Sequence, residues 1–536
     1  MDSKLNRASK ALSNGEPARA KRVLEQILRS EPENVEALWM IARLLERRGE
    51  IDSWLESLSK LHKLLPEELY VLDELARGYA KTNQLDKAIT LYRKFLENNP
   101  ESENASYNLA NYLGRKGEHG EAIDIFSSLL EGGIDRPEEV HLNLSNLYCE
   151  GPKLYSKSKS HLDQALLIDP HYELAWFNLG NLNEQLGDLP EAKKCFEKVI
   201  SLGDKGGGAL ARLADLTRFD QEDEPSLIEK MERNLHLKES PNPDLMFSLG
   251  RAYEQLGEYD KSFYMFESAN SIDRHFLPDY LPEAMEDLFK RITDGYRKKS
   301  VASTSEPDLD KVFICGNFRS GSTLLEQMLA SHSSFSAGGE RRFFRNISRD
   351  PRVNFPSGSP LPSDLAVKIA NEYNKETADL FASDTRVTDK RPDNLLLVGL
   401  IKEIFPQAKI IVTLRDELDL AWSIFTTRFG PEVPYASSLK HTLHFIKLQK
   451  ELVNHWLNVF EGDVLCITYE DLIAEPKVEL TKLLRNLGEE WADACLDFKE
   501  LKNFVHTASS AQVRFALNNK SVGRAKPFKG RIDKVQ

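Results

Sequence analysis

Cysteine is scarce in this chain, and its spacing carries no disulfide or metal motif. Five cysteines occur among 536 residues, and no two of them form a C-x-x-C pair. An odd, scattered set argues against a disulfide framework and a zinc site, and it favours a reducing compartment. The five are Cys149, Cys195, Cys315, Cys466 and Cys495.

The sequence also lacks long hydrophobic runs. One of the longest, at 395–401, is interrupted by Gly399 and is far too short to cross a bilayer. The first fifteen residues, MDSKLNRASKALSNG, contain no apolar segment of the kind that a signal peptide needs. We therefore expect a cytoplasmic protein with no membrane partner.

Positive charge is not in excess. The chain has 71 Lys and Arg against 84 Asp and Glu, which gives a formal net charge of −13. Proteins that bind nucleic acid or anionic lipid are usually basic, so both partners are disfavoured. Net charge does not exclude a local basic pocket for a small anion.

What the first half does contain is a repeat of 34 residues. Pro32, Pro66 and Pro100 are each 34 positions apart, a period typical of helix–turn–helix repeats of the tetratricopeptide type. A Gly or Asn would end the first helix of each repeat in a left-handed cap, and the Pro would close the second helix. We predict a solenoid of about seven repeats over residues 1–275, with a degenerate pair at 206–240.

The repeated positions indicate the fold of this region but not its ligand. They are predicted core residues, so the array could be only a spacer, or its concave face could dock a protein or peptide. Nothing at the exposed positions decides between these two interpretations. The pattern includes Leu109, Gly117, Ala122 and Phe126 and, 70 residues later, Leu179, Gly187, Ala192 and Phe196.

A polar stretch without periodicity at 294–310 marks a boundary, and we assign 276–310 to a connecting helix and linker. From 311 to 536, apolar β-prone runs alternate with helical patterns. This alternation predicts a parallel sheet with helices on both faces, so the fold class is a helical solenoid followed by a P-loop-like α/β domain. Strands are predicted at 312–315, near 385–388, at 409–414 and at 464–468, and helices at 322–331, 364–381, 393–404, 417–429, 437–460 and 473–487.

The stretch 311–340 carries the strongest chemical signal of the second half. A strand is followed by Gly316, four residues, Gly321 and a helical pattern, which together aim backbone N–H groups at an anion. The spacing matches a Walker A loop, but Ser322 and Thr323 stand where a nucleoside triphosphatase needs a Lys to reach the β- and γ-phosphates. We therefore expect an anion site without the ATP clamp, to which Arg319 supplies charge.

A second candidate anion site follows the predicted strand at 409–414. Arg415 comes directly after this strand, and Ser423 lies 8 residues further on, in the next predicted helix. The guanidinium group offers a charge-assisted fork to a phosphate, and the hydroxyl group adds another donor. Ligands of parallel sheets bind at the carboxyl ends of the strands, where both candidate sites lie.

These motifs resemble those of sulfotransferases, which use 3′-phosphoadenylyl sulfate (PAPS) as sulfuryl donor. The run RSGSTLL at 319–325, which includes Ser320, is similar to the family's 5′-phosphosulfate loop, and Arg415 with Ser423 is similar to its 3′-phosphate site. The resemblance covers about residues 311–528. It fits the branch of the tyrosylprotein sulfotransferases and of bacterial proteins that join tetratricopeptide repeats to such a domain.

The resemblance implies a PAPS-dependent transferase that modifies a hydroxyl group and needs no metal. Glu340, in Gly338-Gly339-Glu340, would be the general base. Lys390 would neutralise the leaving-group oxygen, helped by Ser509 and Arg319.

The same resemblance implies further contacts to the nucleotide. Tyr469 would touch it, Lys526 would be an additional ligand, and a late loop that includes Ser521 and Gly523 would close over it. Two positions depart from the family pattern: Phe318 stands where Pro is usual, and Arg524-Ala525 replaces an aromatic residue after Gly523.

Several candidate residues also have a plainer explanation. Glu340 precedes two arginines and could be an ordinary surface ion-pair residue. Ser510 is as good a hydroxyl group as Ser509, and His506 is an alternative base. His441 and His444 lie three apart on a predicted helix, but no third metal ligand is visible.

Two other functions compete with an active sulfotransferase. The chain could be a non-catalytic interaction protein in which the repeats do the work, although all the predicted catalytic side chains are present. It could also be a P-loop kinase, which the missing Walker Lys disfavours. The acceptor stays open between protein tyrosine, a peptide, a carbohydrate and a small molecule.

Overall fold

The computed structural model divides into two compact units, Met1–Ala175 and Trp176–Gln536. It describes residues 2–151, 153–204, 206–219, 225–236, 242–297, 311–353, 355–356, 360–378, 385–498 and 519–534. The division falls within the helical region, so the later helices form one unit with the sheet. The boundaries at 275 and 310 come from sequence pattern and stay a prediction.

The first unit consists of amphipathic helices in antiparallel pairs. Asn83 and Gly117 have φ angles of 57° and 97°, so the left-handed caps predicted between the helices of a pair are present at these positions. Ala105 and Ala122 are fully buried, which allows the two helices of their pair to approach closely. The helices are α1 (Asp2–Ser13), α2 (Pro17–Ser30), α3 (Val35–Arg47), α4 (Ile51–Leu64), α5 (Leu69–Lys81), α6 (Leu85–Asn98), α7 (Glu103–Lys116), α8 (His119–Gly132), α9 (Pro137–Glu150) and α10 (Tyr155–Ile168).

Further helices of the same kind precede the sheet. They include the pair α15 and α16, whose side chains Phe247 and Phe266 are almost fully buried. The helices are α11 (Glu173–Leu186), α12 (Leu189–Leu202), α13 (Gly208–Asp215), α14 (Pro225–His236), α15 (Pro243–Gln255), α16 (Tyr259–Arg274) and α17 (Pro282–Gly295).

Strands and helices then alternate, as predicted. Short 3₁₀ helices also occur at Pro392–Leu397, Pro434–Ser437, Asp493–Leu496 and Lys526–Phe528. The remaining elements are β1 (Val312–Gly316), α18 (Ser322–Ala330), β2 (Phe335–Ala337), α19 (Phe343–Ile347), α20 (Ser363–Ala378), β3 (Arg386–Lys390), α21 (Val398–Ile404), β4 (Lys409–Leu414), α22 (Glu417–Phe425), α23 (Leu439–Val459), β5 (Val464–Thr468), α24 (Tyr469–Ala474), α25 (Pro476–Asn486) and α26 (Lys529–Ile532).

The sheet is parallel, with the strand order β2-β3-β1-β4-β5. The side chains of β1 alternate between two hydrophobic clusters: Phe313 and Cys315 belong to one, and Val312 and Ile314 to the other. Helices therefore cover both faces, and the predicted fold class is confirmed. The carboxyl ends of β1, β3 and β4 lie at one edge of the sheet, which brings the residues that follow them together.

Some element boundaries differ from the prediction. The short strand β2 was not predicted, because three residues at the sheet edge are too few to give a periodic signal. The helix predicted at 473–487 is two helices, since Pro476 has no N–H with which to continue the first. The helix predicted at 393–404 begins as a 3₁₀ helix, and the one predicted at 417–429 ends at Phe425.

Among the described residues, no helix is both long enough and apolar enough to span a bilayer.

Candidate active site

The loop between β1 and α18 has a tightly constrained backbone. Gly316 has a φ of 139°, and a Cβ atom there would lie 2.5 Å from the carbonyl oxygen of Thr413. Arg319 is also left-handed, with a φ of 70°. Ser320 Oγ donates to the carbonyl oxygen of Asn317 at 2.7 Å and lies 2.6 Å from Thr413 Oγ1. The Ser320 hydroxyl group therefore braces the loop from inside.

The N-terminus of α18 opens onto this loop. Gly321 precedes the helix with a φ of 96°, and Ser322 and Thr323 occupy its first turn. The first N–H groups of a helix have no partner within it, and the helix dipole favours an anion at that end. The predicted turn from strand to helix is therefore present, and anion binding at this turn stays a prediction.

The second predicted anion site touches the first. Arg319 Nε donates to Ser423 Oγ at 3.3 Å, and Arg415 Nη1 donates to the carbonyl oxygen of Arg319 at 2.9 Å. Arg415 also lies over the ring of Tyr469, 4.8 Å from its centroid. Its Nε is buried and has no hydrogen-bond partner among the residues that the structure describes. A buried donor of this kind is usually satisfied by an acceptor, so the guanidinium group has capacity left for a ligand.

Positive charge is concentrated at this junction. Burial, reinforced by the charges of Arg415, Arg524 and Arg251, lowers the pKa of Arg319 to about 9. Burial is also the main cause that lowers the pKa of Arg415, and Arg524 adds to the effect. Each shift records mainly the cost of burying a guanidinium group and, to a smaller extent, the repulsion from neighbouring cations. A multiply charged anion would offset both costs.

Glu340 and Lys390 form an ion pair at the end of β3. Lys390 Nζ donates to Glu340 Oε1 at 2.7 Å, and the two side chains are 0% and 29% exposed, respectively. Glu340 is thus the exposed end of a pair whose cation is buried. The neighbouring Arg341 binds Glu376 instead. The partner of Glu340 is therefore the other predicted catalytic residue and not an adjacent arginine.

Glu326, on α18, is a site residue that sequence reasoning missed. Its Oε1 accepts the N–H of Gly339 and the hydroxyl group of Thr388, both at 3.0 Å. Burial raises its pKa, while the charge of Lys390 acts in the opposite direction. Glu326 therefore holds the turn that precedes Glu340. The signal was present in LLEQML at 324–329, where Glu326 and Gln327 separate two pairs of apolar residues.

Sequence reasoning also did not identify Asp389, which precedes Lys390 on β3, as a group with an unusual pKa. It is 1% exposed and accepts from Tyr373 Oη at 3.2 Å and from Asn394 Nδ2 at 3.1 Å. Burial raises its pKa to about 7, although the charge of Arg341 opposes the shift. Adjacent residues of a strand point to opposite faces, so Asp389 lies under the sheet edge and not in the anion site.

The remaining predicted residues have different outcomes. Tyr469 packs against the loop, since a Cβ atom on Gly321 would lie 2.6 Å from its Cδ2. Lys526 is exposed and lies beside Gly523. His444 contacts Tyr280 and Glu286 through its two ring nitrogens. His506, Ser509 and Ser510 lie outside the described residues, so the roles assigned to them stay predictions.

Among the residues that the structure describes, no three His, Cys, Asp or Glu side chains are grouped to hold a metal ion. What is grouped is the two predicted anion sites, which adjoin each other, and, at the end of β3, a carboxylate paired with a buried lysine. An α/β domain with this arrangement at the carboxyl ends of its strands is expected to take a ligand that has two separate anionic groups.

Models of known protein families match both the helical repeats and the α/β domain of the chain. Residues 311–493 match the model of the sulfotransferase family. Residues 5–53, 74–137, 173–205 and 243–276 match models of the tetratricopeptide repeat. The chain therefore carries tetratricopeptide repeats followed by a sulfotransferase-family domain, as its motifs predict.

Individual relatives are distant. An uncharacterized protein of Aquifex aeolicus is 24% identical over 511 residues, which cover 90% of this chain and 66% of that protein. Protein-tyrosine sulfotransferase 1 of Danio rerio is 26% identical over 205 residues, 36% of this chain and 57% of the relative. Protein-tyrosine sulfotransferase of Drosophila melanogaster is 24% identical, over 37% of this chain and 41% of its own length. The matched part is thus less than two thirds of each of these relatives.

Proposed function

We propose that this chain transfers a sulfuryl group from PAPS to a hydroxyl acceptor. The observation that carries the proposal is the bridge between the two anion sites, in which Arg319 contacts both Ser423 and Arg415. PAPS has one anionic group on its 5′ side and a second at its 3′ position, whereas ATP has no 3′-phosphate. Within the described part of the chain, Arg415 Nε is buried without a hydrogen-bond partner, which supports an anionic ligand at the second site.

The ion pair between Glu340 and Lys390 supports the catalytic roles that we propose for these two residues. Glu340 takes the proton of the acceptor hydroxyl group while the acceptor oxygen bonds to sulfur and the bond between sulfur and the phosphate oxygen breaks. Lys390 donates to the oxygen on which negative charge grows, helped by Arg319 and, in our proposal, by Ser509. Because Lys390 Nζ already donates to Glu340 at 2.7 Å, one cation serves both the base and the leaving group.

The acceptor and the repeat array belong to the same proposal. The relatives named for protein tyrosine support a tyrosine hydroxyl as acceptor. We propose that the array, taken as residues 1–275, docks the acceptor or a partner protein for the transferase domain at 311–536. A cytoplasmic location, predicted from the scattered cysteines, completes the proposal.

Nucleotide titration tests the donor. We expect 3′,5′-adenosine bisphosphate to bind more tightly than ADP or ATP, and Arg415→Ala to weaken the bisphosphate by about 10- to 100-fold, the worth of one charge-assisted contact. Arg352→Ala is the matched control, since Arg352 pairs only with the nearby Asp350 among the described residues. Equal or tighter binding of ATP would contradict the proposal. Absence of any bisphosphate binding would favour the non-catalytic interaction protein.

Turnover tests the base. Glu340→Gln should lower the rate of sulfuryl transfer by about 100-fold or more, because general-base catalysis is lost. Its affinity for the bisphosphate should stay within about twofold of the wild type, since the carboxylate takes no part in nucleotide binding. A variant that loses affinity but keeps its turnover per bound enzyme would show that Glu340 is misassigned.

A further inference from the structure

The last helical pair, α15 and α16, packs directly on α22, the helix that carries Ser423. Trp422 stacks against Phe263 with ring centroids 6.0 Å apart, and it meets Phe266 edge-on at 5.6 Å. Phe528, near the end of the chain, stacks on the same indole ring at 3.8 Å. One hydrophobic cluster therefore joins the repeat pair, α22 and the C-terminal segment.

Polar side chains of the same pair bind the C-terminal end of α22. Arg251 Nη1 donates to the carbonyl oxygen of Thr426 at 3.2 Å, and Asn270 Nδ2 donates to that of Phe425 at 2.9 Å. The last carbonyl groups of a helix have no partner within it. The repeat pair supplies those partners close to Ser423, so it fixes the end of the helix that carries a predicted donor contact.

Glu254, at the end of α15, reaches the C-terminal segment of the chain. Arg524 Nε and Nη2 donate to its two carboxylate oxygens at 2.5 and 2.7 Å. The side chain of Glu254 is only 11% exposed and that of Arg524 only 21%. The charge-assisted bonds between them are therefore shielded from water and strong. This contact uses one edge of the guanidinium group and leaves its other edge facing away from Glu254.

The segment around Arg524 is itself attached to the donor site. Arg415 Nη2 donates to the carbonyl oxygen of Ser521 at 2.6 Å. Asp419, on α22, accepts the N–H groups of Gly523 and Ala525. Arg524 is therefore held among the cations of that site, and its charge acts on Arg415. Glu254 is the contact through which the repeat pair fixes this arginine.

We infer that the last repeat pair is a working part of the donor site, and that Glu254 is a positioning residue which holds Arg524 and residues 519–528 against the guanidinium cluster for the 3′-phosphate. This inference rests on the proposed function. It assigns to a repeat helix a role in nucleotide binding, whereas the motifs of the sulfotransferase-family domain place all donor contacts after residue 311.

A double-mutant cycle on the full chain tests the inference, with 3′,5′-adenosine bisphosphate as the probe in calorimetry. Glu254→Gln should weaken binding about tenfold, and Arg524→Gln should weaken it at least as much. The double variant should bind no more weakly than Arg524→Gln alone, because Glu254 acts through Arg524. Asp260→Asn is the matched control: it removes an ion pair with Arg531 that links α16 to α26, and binding should stay within about twofold.

Hydrogen exchange without nucleotide supplies a second measurement. Amides in 519–534 should exchange faster in Glu254→Gln than in the wild type and the Asp260→Asn control. Unchanged affinity in Glu254→Gln, equal losses of affinity in Glu254→Gln and in the Asp260→Asn control, or additive losses in the cycle would overturn the inference. If the wild-type chain binds no bisphosphate, both the proposed function and the role of Glu254 in nucleotide binding are contradicted. The exchange rates would then show only whether Glu254 holds residues 519–534 in place.

Discussion

Replacing Asp389 by Asn should stabilise the protein at pH 8 and change its stability little near pH 4. Asp389 is buried on β3 beside Lys390, and burial raises its pKa from an ordinary 3.8 to about 7. The amide of Asn has nearly the same shape as the neutral acid. It can accept from Asn394 and donate to Tyr373 Oη, so the two hydrogen-bonded neighbours keep a partner.

The sign and the size follow from proton linkage. Between about pH 4 and 7 the folded chain keeps a proton on Asp389 that the unfolded chain has lost, so stability falls as the pH rises. Each pH unit in that interval is worth about 1.4 kcal/mol, which makes the total cost about 4 kcal/mol above pH 7. About 2.5 kcal/mol of this cost accumulates between pH 5 and pH 8.

Urea unfolding of the wild type and of Asp389→Asn at pH 5 and pH 8 measures this difference. All other titrating groups are common to the two proteins, so their contributions cancel in the comparison. The variant should gain about 2.5 kcal/mol on the wild type as the pH is raised from 5 to 8. Parallel changes in the two proteins would refute the reasoning, because Asp389 would then have an ordinary pKa. An Asp389→Asn protein that is less stable at both pH values would mean that its carboxylate is needed in ionised form.

Two further substitutions test the local geometry of the site. Gly321→Ala should abolish measurable bisphosphate binding, because the new Cβ atom would lie 2.6 Å from Tyr469 Cδ2. The control is Gly462→Ala, at a similar φ but with open space around it, which should cost only about 1 kcal/mol of stability in urea unfolding. Equal effects of the two substitutions would contradict the steric argument. Glu326→Ala leaves the N–H of Gly339 without its acceptor and should lower turnover about tenfold at unchanged bisphosphate affinity. Recovery of turnover in Glu326→Gln would support a positioning role, and normal turnover in Glu326→Ala would exclude it.

The sheet was largely predictable from the sequence because its strands are buried. Strands β4 and β5 have the predicted bounds. β4 lies inside the sheet, where strands of a parallel sheet read as continuous apolar runs, and the edge strand β5 has the mostly apolar sequence VLCIT. The loop after β1 was predictable from Gly316 and Gly321, because a sharp turn of the backbone requires glycine at such positions. The strand order and the edge strand β2 were not, because pairing depends on contacts between residues far apart in the chain.

The contacts within the site were less accessible to sequence reasoning. The bridge from Arg319 to Ser423 joins two motifs that were each recognised, but their proximity follows only from the adjacent positions of β1 and β4. Glu254 and Arg524 are separated by 270 positions, and Glu254 sits in a repeat whose pattern concerns core packing alone. No local spacing signals such a pair.

The packing of Trp422, Phe425 and Phe528 on α15 and α16 has a consequence for how the array ends. A solenoid exposes the apolar face of its final repeat and needs a polar cap to cover it. Here α22 and the C-terminal segment cover that face, so the sulfotransferase-family domain is itself the cap of the array. A repeat inserted after α16 would uncover both the apolar face of α15 and α16 and the side chains of α22 and the C-terminal segment that pack on it. Any change in the number of repeats is therefore confined to positions before α15.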